Sequence, residues 1–248
     1  MTGNTASGTP LLAVRGMNGW YGDAHILHDI DLEVRRGEVV ALMGRNGAGK
    51  STTFKAIMGL LQRRAGEVTF MGHDLAGLEP YRIARLGLGF VPEDRRIFTD
   101  LTVHENLLTG EQARRTWPDG SAGQNWTAQD IYVLFPPLAS MRDRPAGAMS
   151  GGEQQMLTVA RTLMGNPFLL LLDEPSEGVA PVIVEQMVKM IQDLKSRGAS
   201  ILLSEQNLHF ARLVADRAYV LEKGAVRYEG PMRDLAKDQA LLRDYLSL

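Results

Sequence analysis

The stretch GRNGAGKS, residues 44–51, decides the fold of this chain, because it fits the phosphate-loop pattern G-x-x-x-x-G-K-[ST]. The apolar segment before it, residues 39–43, predicts a buried strand, and the apolar spacing after Gly49 predicts a helix. Glycine lets such a loop turn tightly and aim backbone N–H groups at phosphate oxygens, while the helix adds its positive N-terminal end. Strand, loop and helix together predict a nucleotide phosphate site and disfavour an accidental match.

Two side chains of this loop have predicted chemical tasks of their own. Lys50 supplies a mobile cation for the β- and γ-phosphates of ATP and is therefore a predicted catalytic residue. The Ser51 hydroxyl supplies a hard oxygen ligand for Mg²⁺. ATP and Mg²⁺ are thus the predicted cofactors. The predicted nucleotide-binding residues of the loop are Asn46, Gly47, Ala48, Gly49, Lys50, Ser51 and Thr52.

Two adjacent acids end another apolar run, FLLLLDEP at residues 168–175. A buried strand delivers both carboxylates to its C-terminal edge, where open α/β sheets bind ligands. Asp173 is predicted to hold Mg²⁺, directly or through water, and Glu174 to orient and deprotonate the attacking water. The alternative is that both acids cap a turn begun by Pro175. The phosphate loop disfavours that alternative, because the loop needs an acid on the metal side.

A third motif, MSGGE at residues 149–153, predicts a second anion site. Ser150, Gly151 and Gly152 bring a hydroxyl, glycine amides and a helix N-terminus together. Because the chain has one phosphate loop, we expect this site to close head to tail on the γ-phosphate bound by another subunit. The alternative is an ordinary serine N-cap, which the order of the three motifs disfavours.

Size and composition limit the remaining possibilities. The 248 residues suffice for one large domain with a subdomain, but not for two full ATPase domains. The balance of 27 Lys and Arg against 29 Asp and Glu argues against a nucleic acid partner. With 0 cysteines, the chain has no disulfide frame and no thiolate metal site, which fits a reducing cytosol.

Neither the beginning nor the apolar runs of the sequence predict membrane insertion. Residues 1–10 are small and polar, so we expect a disordered lead-in and not a secretion signal. The longest apolar run, residues 167–172, is too short to cross a bilayer. Any link to a membrane is therefore expected to come through a partner.

The rest of the pattern predicts a single α/β domain over residues 11–248, with a P-loop NTPase core. Alternating segments at 11–34 and 66–71 predict a subdomain of half-exposed antiparallel strands. Helix-like blocks broken by Gly, Pro and Ser predict a helical subdomain at about residues 94–164. Continuously apolar segments predict a parallel sheet buried on both faces, at residues 39–43, 89–91, 168–172 and 200–203.

The three motifs, in this order, resemble the ATP-binding subunits of ABC transporters, and the likeness runs from about residue 11 to the C-terminus. Shorter sequence motifs are similar to those of LivF-type subunits of branched-chain amino-acid importers and of their urea and amide relatives. These motifs are YG at 21–22, VPEDRR at 91–96, MSGGEQQM at 149–156, DEPSEGVAP at 173–181 and SEQN at 204–207.

This resemblance implies an ATPase of the ABC type that powers the import of amino acids or related small polar solutes. It implies two membrane permease subunits as partners, and a second ATP-binding subunit, a paralogue or a copy, in a head-to-tail dimer. A solute-binding protein would act indirectly. The implied location is the cytoplasmic face of the inner or plasma membrane, where the chain is peripheral and held through the permeases.

The resemblance also implies roles for residues outside the loop. Tyr21 falls where the family stacks an aromatic ring on adenine, with Trp20 as a fallback, and the alternative is a packing role for either ring. Glu93 stands in the place of a usual glutamine and keeps an oxygen for Mg²⁺ or water. Glu153 departs from the usual signature glutamine, and residues 176–179 lack a usual aspartate.

Gln206 stands where most ABC ATPases have a histidine that bonds the γ-phosphate. Its amide can donate a hydrogen bond but cannot carry a proton near neutral pH. The hypothesis is that Glu174 is the base and that Gln206, as a catalytic residue, senses the γ-phosphate. The alternative is a solvated loop amide.

Two other classes of protein share some of these features with a transporter subunit. A soluble ABC-type ATPase that serves an assembly scaffold, such as that of iron–sulfur clusters, would carry the same motifs at a similar length. A chromosome or repair ATPase is disfavoured, because no long heptad array separates the nucleotide motifs.

Overall fold

The computed structural model describes residues 9–246. Most of the predicted lead-in, residues 1–8, lies outside this range. The strands are β1 (Leu12–Tyr21), β2 (Ala24–Val34), β3 (Val39–Met43), β4 (Arg63–Phe70), β5 (His73–Asp74), β6 (Leu88–Val91), β7 (Leu169–Asp173), β8 (Ser200–Glu205), β9 (Arg217–Glu222) and β10 (Ala225–Pro231). The helices are α1 (Lys50–Ile57), α2 (Pro80–Arg85), α3 (Val103–Thr109), α4 (Ala128–Leu134), α5 (Pro136–Ser140), α6 (Gly151–Leu163), α7 (Pro181–Ser196), α8 (Leu208–Val214), α9 (Met232–Leu235) and α10 (Gln239–Leu246).

Two sheets organise these elements. One has the order β2-β1-β4-β5 and is antiparallel, as the alternating segments predict. The other has the order β10-β9-β3-β8-β7-β6, with parallel pairing throughout except between β9 and β10. Because β8 lies between β3 and β7, the loops that follow these three strands meet at one edge of the sheet.

The large sheet is buried on both faces, because successive side chains of a strand point to opposite sides. On β3, Val39, Ala41 and Met43 join a core with α6, α7 and α8. Val40 and Leu42 join a second core with α1 and the antiparallel sheet. Every residue of β3, β7 and β8 is buried, which explains why these strands are apolar except for Ser200, Ser204 and the acids that end β7 and β8.

Four helices and a 3₁₀ turn fall within residues 94–164, where the sequence predicts a helical subdomain. Three of these helices begin with a capping box, in which the N-cap hydroxyl and the acid three residues later bond each other's backbone N–H. The pairs are Thr102 with Glu105, Thr127 with Asp130, and Ser150 with Glu153. The boundary of the subdomain itself stays a prediction.

Helix α7 carries an apolar stripe whose Met187, Val188, Ile191 and Leu194 are buried, while Val184 on the same stripe is partly buried. A turn at residues 223–224 joins β9 to β10. The apolar C-terminal segment forms α10, whose Leu241, Leu242 and Tyr245 pack partly buried on the core. Within residues 9–246, no helix combines the length and the apolar character that crossing a membrane requires.

Candidate functional site

The phosphate loop connects β3 to α1 and is fastened to the turn between β9 and β10. The N–H of Gly224 donates to the carbonyl of Ala48 at 2.9 Å. A Cβ at Gly44 would lie 2.6 Å from the carbonyl oxygen of Leu221, so only glycine fits this close approach. Gly49 has φ +109 and is the N-cap of α1. Since glycine offers no side-chain acceptor to the first turn of α1, the N–H groups there suit a phosphate.

Lys50 is buried and points back into this loop. Its ammonium donates to the carbonyls of Gly44 at 2.8 Å and Arg45 at 3.1 Å. It also forms an ion pair with Glu174, Nζ to Oε1, at 2.9 Å. The structure therefore joins two of the three predicted catalytic residues, although 124 positions separate them in the chain (174 minus 50).

Ser51 and Asp173 meet as the sequence predicts for a metal site. The Ser51 hydroxyl donates to Asp173 Oδ1 at 3.0 Å, and the hydroxyl of Ser204 donates to the same oxygen at 2.7 Å. Burial raises the pKa of Asp173, the two hydroxyl hydrogen bonds lower it, and the negative charges of Glu174 and Glu93 raise it further. A hydroxyl and a carboxylate in contact are hard oxygen donors that fit Mg²⁺.

Glu93 follows β6 and is exposed. It lines, together with Asp173, a cavity of about 370 Å³ at the C-terminal edge of the sheet. The structure thus brings this predicted metal-side residue near Asp173 without a direct hydrogen bond between them among the described contacts. Glu93 therefore stays a candidate ligand of a metal ion or a water in that cavity.

Glu174 has a left-handed backbone conformation, with φ +47, which is uncommon for a residue other than glycine. Its N–H donates to the Ser204 hydroxyl at 3.0 Å and to the Ser204 carbonyl at 3.2 Å. These bonds hold the start of the segment after β7 against the end of β8. The strained backbone directs Glu174 to Lys50, away from the usual course of an extended strand.

Glu177 contacts Glu174, which the sequence analysis did not foresee. A hydrogen bond between the two side chains, followed by burial and the negative charges of Glu174 and Glu93, raises the pKa of Glu177 to about 7. Glu177 is exposed, and the nearby Lys50 acts in the opposite direction. The segment in which an aspartate is missing therefore carries another carboxyl group.

Gln206 is exposed and follows β8 directly, at the edge where β3 and β7 also end. The residue before it, Glu205, is buried and was missed by the sequence analysis. Glu205 Oε1 accepts the N–H of Ser176 at 3.0 Å, and Oε2 accepts the N–H of Asn207 at 3.1 Å. Burial raises the pKa of Glu205 to about 7. The available signal was the SEQN segment, in which an apolar strand ends in an acid.

Tyr21 ends β1, and 48% of the residue is exposed. The neighbouring Trp20 ring is stacked on His25, with centroids 4.5 Å apart, and the guanidinium of Arg63 lies 4.7 Å from the Trp20 centroid. Because Trp20 already has partners, Tyr21 is the better candidate of the two for stacking on a base.

Ser150 is exposed at the N-cap of α6. Its hydroxyl accepts the N–H of Glu153 at 3.4 Å, and Glu153 Oε2 accepts the N–H of Ser150 at 2.7 Å. Ser150 is therefore an N-cap, as the alternative interpretation of the motif predicts, and Glu153 is its capping partner. Gly152 fits closely against Ile183, where a Cβ would lie 2.7 Å from a side-chain carbon. An exposed hydroxyl at a helix start still suits an anion, so capping and ligand binding are compatible.

The sheet order, the phosphate loop and the paired acids define a P-loop ATPase, with an antiparallel sheet on one side and helices on the other. The sequence pattern of the ABC transporter family matches residues 27–177. The chain belongs to this family, as an ATP-binding subunit that couples ATP hydrolysis to transport. The predicted fold class and the resemblance to LivF-type subunits are both confirmed.

Individual relatives show how close the similarity is. The high-affinity branched-chain amino acid transport ATP-binding protein BraG of Pseudomonas aeruginosa is 44% identical over 216 residues, which are 87% of this chain and 91% of that protein. The lipopolysaccharide export system ATP-binding protein LptB of Escherichia coli K12 is 33% identical over 226 residues, 91% of this chain and 92% of that protein. The crystal structure of the ADP conformation of an ATP-binding cassette of an ABC transporter has a TM-score of 0.77 at 26% identity and covers 95% of this chain and 98% of its own.

These relatives are transport proteins, and the alternative of a scaffold ATPase for iron–sulfur clusters gains no support from them. Proteins of this family work as dimers with membrane permease subunits. The family binds nucleotide, in agreement with the phosphate loop.

Proposed function

We propose that this chain hydrolyses ATP to drive the import of amino acids, or of related small polar solutes, by an ABC transporter. The observation that carries the ATPase chemistry is the meeting of Lys50, Ser51, Asp173 and Glu174 at one edge of the parallel sheet. The solute class is supported by the 44% identity to a branched-chain amino acid transport subunit, which exceeds the 33% identity to the lipopolysaccharide export subunit.

The phosphate loop binds and orients the triphosphate in this proposal. Backbone N–H groups of residues 46–52 and the N-terminus of α1 receive the phosphate oxygens. Lys50 supplies a positive charge that is already held in place by two backbone carbonyls. Tyr21 receives the adenine on its exposed ring.

Ser51 and Asp173 would hold Mg²⁺, with Glu93 reaching it directly or through water. The ion supplies neutralisation of phosphate charge when it is bound. The chain's own contribution is to fix the two oxygens: Ser204 bonds Asp173 from the strand side, and α1 positions Ser51.

Glu174 acts as the general base that orients and deprotonates the attacking water. Its backbone is held by Ser204, so its carboxylate remains near Lys50. Gln206, exposed beside the same edge, donates its amide N–H to the γ-phosphate and does not take up the proton.

A second ATP-binding subunit completes the site, since Ser150, Gly151 and Gly152 of one chain close on the γ-phosphate held by the other. Shared phosphate charge joins the two faces, and hydrolysis removes that bridge. The closing and opening of the two ATP-binding subunits is transmitted to two permeases at the cytoplasmic face of the inner or plasma membrane. A solute-binding protein delivers the solute.

The test is reconstitution of the full chain with its permeases and solute-binding protein in liposomes, followed by ATP turnover and uptake of leucine, urea and acetamide. Glu174→Gln is expected to lower turnover by at least ~10²-fold because it removes the base, while ATP binding is retained. Glu111→Gln, a matched change at an exposed acid, should leave both unchanged. Near wild-type turnover of Glu174→Gln would contradict the assignment of the base, and turnover without uptake of any of the three solutes would contradict the solute class.

A further inference from the structure

Glu205 is a buried carboxylate at the site, and it has no role in the proposed function. Its side chain is among the buried polar groups, with 2% of the residue exposed, at the last position of β8. The strand places it beside Met43 of β3 and directly before Gln206. It therefore lies between the phosphate loop's strand and the segment after β7.

The two oxygens of Glu205 bond two different segments. Oε1 accepts the N–H of Ser176, two residues after Glu174, at 3.0 Å. Oε2 accepts the N–H of Asn207, the residue after Gln206, at 3.1 Å. One carboxylate thus joins the segment that starts at the base to the turn that displays Gln206.

The turn on the Gln206 side is fixed at both ends. Asn207 is the N-cap of α8, and its Oδ1 accepts the N–H of Phe210 at 3.1 Å. Gln206 therefore has Glu205 on one side and a capped helix start on the other. Any shift of Gln206 must move the backbone N–H that Glu205 accepts, or break that hydrogen bond.

A carboxylate is the side chain that suits this arrangement. Both partners are N–H donors, and glutamate has an acceptor at each position, whereas glutamine has an acceptor at only one. Stability alone does not explain the residue, because burial raises the pKa of Glu205 to about 7 although the hydrogen bonds from Ser176 and Asn207 lower it. The fold is penalised for keeping this group ionised.

We infer that Glu205 is a positioning residue that connects the Gln206 turn to residues 174–176. A shift of Gln206, the γ-phosphate sensor, therefore also shifts Glu174, the catalytic base. The inference rests on the proposed roles of Glu174 and Gln206. Glu205 itself touches neither nucleotide nor metal in this scheme, and its effect is on the geometry of the two loops.

Two substitutions separate the two hydrogen bonds. Glu205→Gln puts an N–H where one of the backbone donors points, so one of the bonds is lost. Glu205→Asp shortens the side chain by one methylene; aspartate is well suited to bond the N–H two residues on, so the Asn207 bond is kept and the Ser176 bond is lost. Both variants are expected to lower ATP turnover if the connection between the two segments matters.

The experiment measures steady-state ATP turnover of the reconstituted full complex, with the melting temperature of the full chain as a second readout. Each variant is expected to lower kcat about tenfold, because the base and the γ-phosphate sensor are no longer held in one geometry, while KM for ATP changes less than about twofold. The melting temperature of Glu205→Gln should stay or rise, because a buried charge is removed. Glu111→Gln is again the matched control.

A double-mutant cycle that combines Glu205→Gln with Gln206→Ala tests whether Glu205 acts through Gln206. If it does, Gln206→Ala lowers kcat less in the Glu205→Gln background than in the wild-type background. The inference would be overturned if the two substitutions lowered kcat independently, so that their fold-effects multiplied in the double variant. It would also be overturned by a wild-type kcat in Glu205→Asp, or by a loss of kcat that is matched by a loss of melting temperature. An inactive wild-type complex would instead contradict the proposed function.

Discussion

The ammonium of Lys50 lies 2.9 Å from a carboxylate oxygen of Glu174, and the two side chains are only 2% and 7% exposed. The pair links the phosphate loop after β3 to the acid after β7, two strands away in the sheet. Because both groups are withdrawn from water, each charge depends on the other and on the two carbonyls that Lys50 also bonds. Removing one partner alone should therefore cost stability, because it leaves the other charge buried and unpaired.

Lys50→Met is expected to destabilise the chain by about 3 kcal/mol, since it leaves the Glu174 carboxylate buried without its cation. Adding Glu174→Gln should recover most of that loss, because no unpaired charge remains. Urea unfolding of the full chain without nucleotide measures both effects.

The control for this pair is Lys195→Met. Its partner Asp216 lies at 2.6 Å, but the two side chains are 34% and 44% exposed, so the change should be below about 1 kcal/mol. A double variant of Lys50 and Glu174 that is as unstable as Lys50→Met alone would show that the ion pair is not the cause.

Tyr21→Ala is expected to weaken ATP binding by about 1 to 2 kcal/mol, roughly five- to thirty-fold in Kd, because the stacking face is removed. Tyr21→Phe should bind like the wild type, since the ring is kept. Titration calorimetry of the full chain with ATP measures the difference. The comparison variant is Trp20→Ala, which removes the ring that stacks on His25. A larger loss of affinity in Trp20→Ala than in Tyr21→Ala would reverse the assignment.

The sequence predicted the parts of the site that lie in a continuous run. The phosphate loop is recognisable because glycines, Lys50 and Ser51 have fixed spacing, and the acids after β7 follow four leucines. The buried strands were recognisable because residues covered on both faces must be apolar. The helix starts were recognisable in part, since Ser150 with Glu153 fits a capping box.

What the sequence did not predict depends on the order of strands. Glu205 ends an apolar strand and, in the sequence alone, resembles any exposed acid before a turn. Only the insertion of β8 between β3 and β7 brings its carboxylate to the N–H of Ser176. Glu177 was missed for a similar reason, because its contact with Glu174 depends on the turn that follows β7, in which the N–H of Glu177 donates to the carbonyl of Glu174 at 3.1 Å.

The raised pKa of Glu205 predicts how stability changes with pH. The folded pKa of about 7 lies above the ordinary value of 4.5, so between these values the folded chain binds the proton more tightly than the unfolded chain. The free energy of unfolding should therefore fall as pH rises from about 4.5 to about 7, by at most about 3 kcal/mol from this group.

The measurement is the difference in unfolding free energy between Glu205→Gln and the wild type at a series of pH values. Taking the difference removes other groups, including Asp173, whose pKa is also raised. The variant is expected to gain relative stability as pH rises through this window. A difference that does not depend on pH would mean that Glu205 titrates near its ordinary value in the folded chain.

Ser150 offers a way to separate helix capping from ligand binding. Aspartate is as good an N-cap as serine, so Ser150→Asp should change the stability of the chain by less than about 0.5 kcal/mol. The added negative charge, however, repels a γ-phosphate presented by another subunit. In a Glu174→Gln background, which keeps ATP intact, Ser150→Asp should therefore abolish ATP-dependent association, measured by light scattering with this chain alone and with a paralogous subunit.

The matched control is Thr127→Asp in the same background. Thr127 is also an exposed N-cap with a capping box, at the start of α4. Both substitutions add one negative charge to a helix N-terminus and both preserve the cap, so they differ only in the helix that carries them. ATP-dependent association should survive at Thr127 and be lost at Ser150. If both variants associate like their Glu174→Gln parent, Ser150 is a cap only, and the head-to-tail closure assigned to residues 150–152 is wrong.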